Sequence, residues 1–253
     1  MNVTASIQAR MGSSRLPGKV LSDVCGKPML LWQIERIKRS RLVDRVVVGT
    51  SVSSLDDKIA KFCQDHDIDC FRGPEDDVLN RISTLLKSYE VDLHVECYGD
   101  SPLIDPQIID EFIGYYLKHS KDAEYFSSAL ETTYPPGLEV TLYDAKVLLE
   151  VDEMVHLTDP MREHVGYNVT RFPEKFRTYS FRAPPWFCYP DTFLEVDSPE
   201  DLDVLRNVVG YFVSLGKDHF SLSEILNLLL ENKSLFEGNA HIERRWKALR
   251  EKE

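Results

Sequence analysis

The 253-residue chain has no hydrophobic run long enough to cross a bilayer, although 43% of its residues are hydrophobic. We therefore expect no membrane-spanning segment. Its five cysteines include no Cys-x-x-Cys pair, which argues against a zinc site and against a disulfide framework. The first residues lack the basic region and long apolar stretch of a secretion signal, so a cytoplasmic protein is expected.

Positive charge is also scarce, since 30 lysines and arginines face 42 aspartates and glutamates, for a net charge of −12. This balance argues against a nucleic-acid partner, which requires basic surface to neutralise phosphates. No Gly-x-Gly-x-x-Gly follows the first apolar strand, which disfavours a nicotinamide-linked dehydrogenase. A local cluster of cations on such an acidic chain would therefore indicate a small anionic ligand.

Apolar strands alternate with amphipathic helices in the first half of the chain. This order predicts an α/β fold of three layers, a doubly wound and mostly parallel sheet with helices on both faces. The second half is less regular. The predicted strands are residues 3–7, 43–50, 68–71, 91–95, 123–128, 138–143, 177–182 and 193–196. The predicted helices are residues 27–40, 55–63, 78–89, 106–119, 145–151, 199–215 and 222–230, with a charged helical tail at 243–253.

The loop after the first strand reads Gln8-Ala9-Arg10-Met11-Gly12-Ser13-Ser14-Arg15-Leu16-Pro17-Gly18-Lys19. Its glycines, hydroxyls and three cations suit a polyphosphate, whose oxygens accept backbone N–H groups and pair with guanidinium and ammonium groups. It is not a P-loop, because five residues separate its two glycines and valine follows the lysine where a hydroxyl would hold magnesium. A metal ion would need carboxylate ligands from elsewhere in the chain.

Two acidic motifs could supply those carboxylates. Asp100 lies in Gly99-Asp100-Ser101-Pro102-Leu103 at the end of a predicted strand, and Asp197 lies in Glu195-Val196-Asp197-Ser198-Pro199-Glu200-Asp201-Leu202. Mg²⁺ favours one or two carboxylates together with water and phosphate oxygens. Each motif also has a purely structural interpretation, as an Asx turn or helix N-cap at the first and as a helix start at the second.

The loop, followed by Gly26-Lys27-Pro28, resembles the nucleotide-binding signature of the sugar cytidylyltransferases. The nearest branch is the spore coat polysaccharide biosynthesis type, related to the enzymes that activate acylneuraminate and 3-deoxy-manno-octulosonate as CMP-sugars. The resemblance covers residues 3 to about 210. It implies a Rossmann-like nucleotidyltransferase fold (the nucleotide-diphospho-sugar transferase fold), a Mg²⁺ cofactor held by Asp100 and Asp197, and catalytic roles for Arg10, Lys19 and Asp100.

The same resemblance implies the residues that contact each substrate. Arg72 and Arg81 fall in a Phe-Arg-Gly-x-x-Asp-Asp-Val-Leu-x-Arg segment that lies beside the nucleotide in the family. The implied nucleotide-binding residues are Ala9, Arg10, Gly12, Ser13, Arg15, Lys19, Thr50, Ser51, Arg72 and Arg81. The implied acceptor-binding residues are Tyr134, Glu139, Arg162 and His164. For Arg162, in Arg162-Glu163-His164, a buried structural ion pair is an open alternative.

These features predict a magnesium-dependent cytidylyltransferase that transfers CMP from CTP to a sugar acid or related acceptor, with release of pyrophosphate. We expect a homodimer, a nucleotidyltransferase domain over residues 1–215 and a helical extension over 216–253. A smaller β-containing lobe, for acceptor binding or dimerisation, is expected as an insertion at about 130–185. Two alternatives remain open: use of another nucleoside triphosphate with a sugar phosphate, and a catalytically silent nucleotide-binding protein of a glycan pathway.

Overall fold

The computed structural model describes residues 1–244, in which a seven-stranded sheet and a two-stranded hairpin are flanked by helices. The strands are β1 (Val3–Gln8), β2 (Asp23–Val24), β3 (Lys27–Pro28), β4 (Arg45–Ser51), β5 (Asp69–Gly73), β6 (Leu93–Tyr98), β7 (Tyr125–Ser127), β8 (Thr141–Asp144) and β9 (Thr178–Ser180). The helices are α1 (Met29–Ile37), α2 (Asp57–Asp65), α3 (Val78–Ser88), α4 (Pro106–His119), α5 (Ala145–Met154), α6 (Pro199–Ser214) and α7 (Leu222–Glu231).

The strand order of the large sheet is β5-β4-β1-β6-β8-β7-β9. β1 pairs in parallel with β4 on one side and with β6 on the other, while β8 runs antiparallel to both of its neighbours. The carboxyl ends of β1, β4 and β6 therefore meet at one edge of the sheet. Ligands collect at this edge in open α/β sheets, at the point where the strand order reverses.

Apolar side chains cover both faces of the sheet and divide the core into two clusters. Val46 and Val48 of β4 pack with helices α1, α2, α4, α6 and α7, whereas Val47 between them packs with α3 and α5. Successive side chains of a strand point to opposite faces, so an apolar run such as residues 46–48 requires cover on both. The expected three-layer, mostly parallel α/β fold is confirmed.

One predicted strand is wrong. Phe193, Leu194 and Val196 are buried and Glu195 is partly exposed, but residues 193–196 join neither sheet. Their backbone crosses the carboxyl edge instead, where the N–H groups of Leu194 and Glu195 both donate to the carbonyl of Pro136. A second prediction is shifted, because the expected helix at 27–40 begins only at Met29, after the β2–β3 hairpin.

The segment expected as an insertion contributes β8, α5 and β9, and both strands belong to the large sheet. After α6, Phe220, Ile225 and Phe236 are buried in the same core cluster as α6. The division of the chain into a domain and an extension stays a prediction, and residues 245–253 of the expected tail lie outside the described residues. Among residues 1–244, no helix combines the length and hydropathy needed to span a membrane.

Candidate active site

The loop between β1 and α1 folds back on itself and delivers a buried lysine to the carboxyl edge. Gly18 N–H donates to Met11 O at 2.9 Å, and Gly18 has φ +74°, a left-handed conformation that costs glycine little. Lys19 then begins a short 3-10 turn, and its side chain is only 10% exposed. The glycine in the motif therefore closes the loop and turns the lysine inward.

Asp100 reaches the same edge because β6 lies next to β1. Gly99 N–H donates to Gln8 O at 2.9 Å, so the two strand ends are joined beyond the last ladder pair. A Cβ atom on residue 99 would lie 2.8 Å from that carbonyl oxygen. Only glycine allows this close approach, which places the following aspartate beside the loop.

Asp197 arrives from the irregular segment that follows residue 192. Val196 N–H donates to Asp100 O at 2.8 Å, which ties the two motifs together through their backbones. Lys19 Nζ lies 2.8 Å from Asp197 Oδ1, 3.6 Å from Asp100 Oδ2 and 2.7 Å from Val196 O. Arg15 pairs with the second oxygen of Asp197. Two carboxylates 97 positions apart in sequence thus share one ammonium group.

A cavity of about 300 Å³ opens above this triad of side chains. It is lined by the loop after β1, the ends of β6 and of the Asp197 segment, the start of α3, and Glu163 and His164. The structure brings nine of the expected site residues to this cavity: Ala9, Arg10, Ser13, Arg15, Lys19, Arg81, Asp100, His164 and Asp197. Gln8, Val78, Tyr98 and Glu163 line it as well, although sequence reasoning assigned them no role.

Residues 4–227 match the sequence model of the cytidylyltransferase family. The chain belongs to this family. It is therefore a nucleotidyltransferase, as the motifs around Lys19 and Asp100 predicted, and the cavity at the carboxyl edge is its candidate active site.

Relatives and solved structures agree with this membership. The chain is 29% identical to the spore coat polysaccharide biosynthesis protein SpsF of Bacillus subtilis, over 89% of this chain and 93% of that protein. A cytidylyltransferase structure from Leptospira borgpetersenii superposes with a TM-score of 0.87 at 29% identity, covering 96% of this chain and all of that one. The CTP complex of CMP:2-keto-3-deoxy-manno-octonic acid synthetase has a TM-score of 0.62, 19% identity and coverage of 83% and 99%. That last likeness shows the fold alone.

The remaining expected nucleotide residues do not line the cavity of this cytidylyltransferase. Gly12 lies in the loop but outside the cavity lining. Thr50 and Ser51 are buried at the end of β4. Arg72 directs its guanidinium to the carbonyls of Ser51 and Ser53, each at 2.9 Å, and to the carboxylate of Asp57 at 2.8 Å.

Three of the expected acceptor residues also lie away from the cavity. Tyr134 is 3% exposed and packs against Phe112, and burial raises the pKa of its phenol to about 12. Glu139 accepts the N–H of Gly137 at 2.6 Å.

Arg162, the third, is 3% exposed and pairs with Asp77 at 2.9 Å and with Asp152. It also donates to Val155 O at 2.8 Å. These contacts are those of the structural ion pair that the sequence left open.

A buried carboxylate supports the wall of the cavity next to Asp100. Glu96 accepts hydrogen bonds from Gln8 Nε2 at 2.9 Å, Tyr98 Oη at 2.8 Å, Tyr143 Oη at 3.0 Å and Gly166 N–H at 3.3 Å. Burial raises the pKa of Glu96 above its ordinary value, although these donors act in the opposite direction. Gln8 and Tyr98, the two donors that face the cavity, are thereby fixed in orientation.

The donor set at the edge fits a hard divalent cation. Asp100 and Asp197 supply carboxylate oxygens within 3.6 Å of one cationic nitrogen. Among residues 1–244, no group of three or more acidic, histidine or cysteine side chains is arranged to hold a metal ion. Mg²⁺ is commonly bound by one or two carboxylates, with substrate phosphates and water as its remaining ligands. An ion at this edge would therefore need phosphate and water oxygens to complete its coordination.

Asp56, to which the sequence assigned no role, holds the loop after β1 in place through hydrogen bonds. This 2%-exposed residue accepts the N–H of Met11 at 2.7 Å and the N–H of Ser51 at 3.2 Å, and it also accepts the Ser51 hydroxyl. It thus joins the loop after β1 to the end of β4. In the sequence it is one of two consecutive aspartates at a helix start, and no local signal separates it from its neighbour.

Replacing Asp56 with alanine is expected to lower the free energy of unfolding by about 1–3 kcal/mol, because the buried N–H of Ser51 and the partly buried N–H of Met11 lose their acceptor. Urea denaturation measures this change. Asp65→Ala, at the other end of the helix that Asp56 precedes, is the control, since that carboxylate forms an exposed pair with Lys61 and its loss should cost less than about 1 kcal/mol. Equal losses for the two variants would contradict the role given to Asp56.

Proposed function

We propose that this enzyme transfers CMP from CTP to a sugar acid or related sugar-type acceptor in surface glycan biosynthesis, with Mg²⁺ as cofactor. The observation that carries the proposal is the meeting of Asp100 and Asp197 at Lys19, beside a loop with two further arginines. The names of the relatives support the acceptor class, since they include a spore coat polysaccharide biosynthesis protein and 3-deoxy-manno-octulosonate cytidylyltransferases.

In the proposed reaction, an acceptor hydroxyl oxygen forms a bond to the α-phosphorus of CTP. The bond from that phosphorus to the oxygen bridging toward the β-phosphate breaks, and pyrophosphate leaves with the electron pair. The hydroxyl proton passes to water. Phosphoryl transfer of this kind depends mainly on positioning and charge stabilisation, because the protein contributes little covalent chemistry.

The cationic and the acidic residues at the cavity have different roles in this reaction. Arg10, Arg15 and Lys19 bind the triphosphate and offset its negative charge in the transition state. Asp100 and Asp197 hold Mg²⁺, which when bound would neutralise phosphate charge and orient the reacting oxygens. Glu163 and His164 also line the cavity, and they would contact the acceptor. We also propose that the enzyme is a homodimer and acts in the cytoplasm. Sedimentation velocity measures the mass of the assembly and so tests the dimer.

Nucleotide choice is tested by pyrophosphate release. The protein is incubated with Mg²⁺, a panel of sugar acids and neutral sugars, and ATP, CTP, GTP or UTP in separate reactions. Release that requires both CTP and a sugar acid is the expected result. If pyrophosphate is released only with UTP or GTP, or only with sugar phosphates as acceptors, the corresponding nucleotidyltransferase reaction would replace the proposed one.

The pH dependence of kcat/KM should follow Asp100. Partial burial raises the pKa of its carboxyl group, Lys19 lowers it and Asp197 raises it again, leaving it above that of an ordinary aspartate. The ionised form is the one that holds a cation, so activity is lost as the pH falls through this raised value. We therefore expect kcat/KM to fall on the acid side of its pH profile, the acid limb, at a higher pH than an unperturbed aspartate would give. A limb at or below the ordinary aspartate range would contradict this assignment.

A further inference from the structure

The segment that carries Asp197 has no strand partner, and contacts from the end of the described chain hold part of it. Asn239 Nδ2 donates to Phe193 O at 3.1 Å, four residues before the aspartate. The guanidinium of Arg244 lies 4.2 Å from the centre of the Phe193 ring, and its Nη1 lies 3.6 Å from Glu195 Oε1. Residues beyond α7 therefore pack directly on the backbone that leads into the site.

Asp201 connects this packing to Asp197 itself. Its Oδ2 accepts the backbone N–H of Asp197 at 3.0 Å and that of Ser198 at 2.9 Å, while Ser198 Oγ accepts Asp201 N–H at 3.3 Å. This capping box begins α6 and fixes the backbone of Asp197 immediately before the helix. The carboxylate is 1% exposed, so it needs partners to remain ionised.

Arg244 is the charged partner of that carboxylate. Its Nη2 donates to Asp201 Oδ1 at 2.8 Å and its Nη1 to Oδ2 at 3.1 Å, a bidentate pair in which the arginine side chain is 2% exposed. Asn239 Nδ2 adds a third bond to Oδ1 at 2.7 Å. Burial would raise the pKa of Asp201, but the bonds from Arg244 and from the N–H of Asp197 lower it below its ordinary value.

We propose that Arg244 is a positioning residue for Asp197, acting through Asp201, so that the segment after α7 belongs to the catalytic unit. The inference rests on the proposed function only in taking Asp197 as a ligand of the divalent ion. Without the guanidinium, the Asp201 carboxylate is left with a buried charge and one side-chain donor. A buried carboxylate without its charged partner is costly, so it is expected to turn toward water, and the N–H groups of Asp197 and Ser198 then lose their acceptor.

Arg244→Gln tests the proposal through metal binding rather than through activity alone. Mn²⁺ is titrated into the full-length protein with α,β-methylene-CTP, and free Mn²⁺ is followed by electron paramagnetic resonance. We expect the dissociation constant of Mn²⁺ to rise about 10–100-fold, the range found when partners of metal ligands are removed. The half-saturating Mg²⁺ concentration should rise in parallel, while the KM for CTP changes little because the triphosphate-binding cations remain.

Arg206→Gln is the matched control, because Arg206 lies on α6 and its side chain pairs with Asp203 at 3.2 Å in an exposed position. It should bind Mn²⁺ as the wild type does. Arg244→Lys keeps the charge but loses the fork, so it should recover part of the affinity. Asp201→Asn should match Arg244→Gln, and the double variant should lose no more than the weaker-binding single variant, since both act through one contact.

A merely structural Arg244 predicts a different result. In that case Arg244→Gln would lower the melting temperature but leave Mn²⁺ affinity and Mg²⁺ half-saturation at wild-type values, which would overturn the proposal. If Arg244→Gln does not fold, Arg244→Lys and Asp201→Asn decide the question by the same titration. Failure of the wild type to use CTP as a substrate would reject the proposed function, whereas the Mn²⁺ comparison would still decide this inference. A wild type that binds no Mn²⁺ would overturn both.

Discussion

Asp100→Asn is expected to lower kcat by about 100- to 1,000-fold, the loss typical of removing one group that stabilises transition-state charge. The asparagine keeps the size of the side chain but removes half of the carboxylate pair that faces Lys19. Thermal stability should not fall. The raised pKa of Asp100 means that the fold disfavours its ionised form, so a neutral side chain removes a destabilising charge at neutral pH.

Steady-state kinetics and a thermal melt of the same preparation measure both effects. Asp203→Asn is the control, because that carboxylate lies on the exposed face of α6 next to the Arg206 pair. We expect Asp100→Asn to lose turnover while its melting temperature stays unchanged or rises. If kcat and the melting temperature both fall, Asp100 is a structural residue. If kcat is retained, Asp100 does not belong to the active site.

Lys19→Met should have the second large effect, with kcat/KM for CTP lowered by about 100-fold or more. Lys19 donates to Asp197 and to Val196 O and lies 3.6 Å from Asp100, so it offsets both carboxylates before any cation or nucleotide binds. Without it, Asp100 loses the main contribution that lowers its pKa. The acid limb of the pH profile should therefore move to higher pH than in the wild type.

Two further variants test whether the effect is specific to a lysine at position 19. Lys19→Arg should restore little activity, because a planar fork cannot replace a compact ammonium that reaches three acceptors. Lys61→Met removes an exposed lysine that pairs with Asp65 at 2.8 Å outside the cavity, and it should behave as the wild type. An acid limb that stays in place in Lys19→Met would contradict the coupling of Lys19 to Asp100.

The parts of the site that depend on local order were predictable from the sequence. The loop at residues 8–19 folds through its own glycine and short-range hydrogen bonds, so its cations could be assigned to an anionic ligand directly. Asp100 and Asp197 stand at a strand end and before a helix start, both of which have local signals. Their convergence follows from β1 lying beside β6 and from the backbone bond of Val196 to Asp100.

Arg162 shows why other parts could not be predicted. Its side chain pairs with Asp77, which is 85 positions away, and with Asp152 on the preceding helix. The sequence Arg-Glu-His does not show these partners, so it could equally belong to a binding site or to a structural ion pair. The strand prediction for residues 193–196 fails for a different reason, because a short and mostly apolar run indicates burial and not strand pairing. Arg244 is one arginine in a charged stretch, and only the fold reveals the buried carboxylate of Asp201 beneath it.

Anomalous diffraction from crystals grown with Mn²⁺ and α,β-methylene-CTP tests the shared metal site most directly. We expect one anomalous peak bonded to oxygens of both Asp100 and Asp197 and to a phosphate of the nucleotide, with Arg10, Arg15 and Lys19 along the triphosphate. A peak that contacts neither carboxylate, or a nucleotide bound outside the cavity at the carboxyl edge, would contradict this expectation.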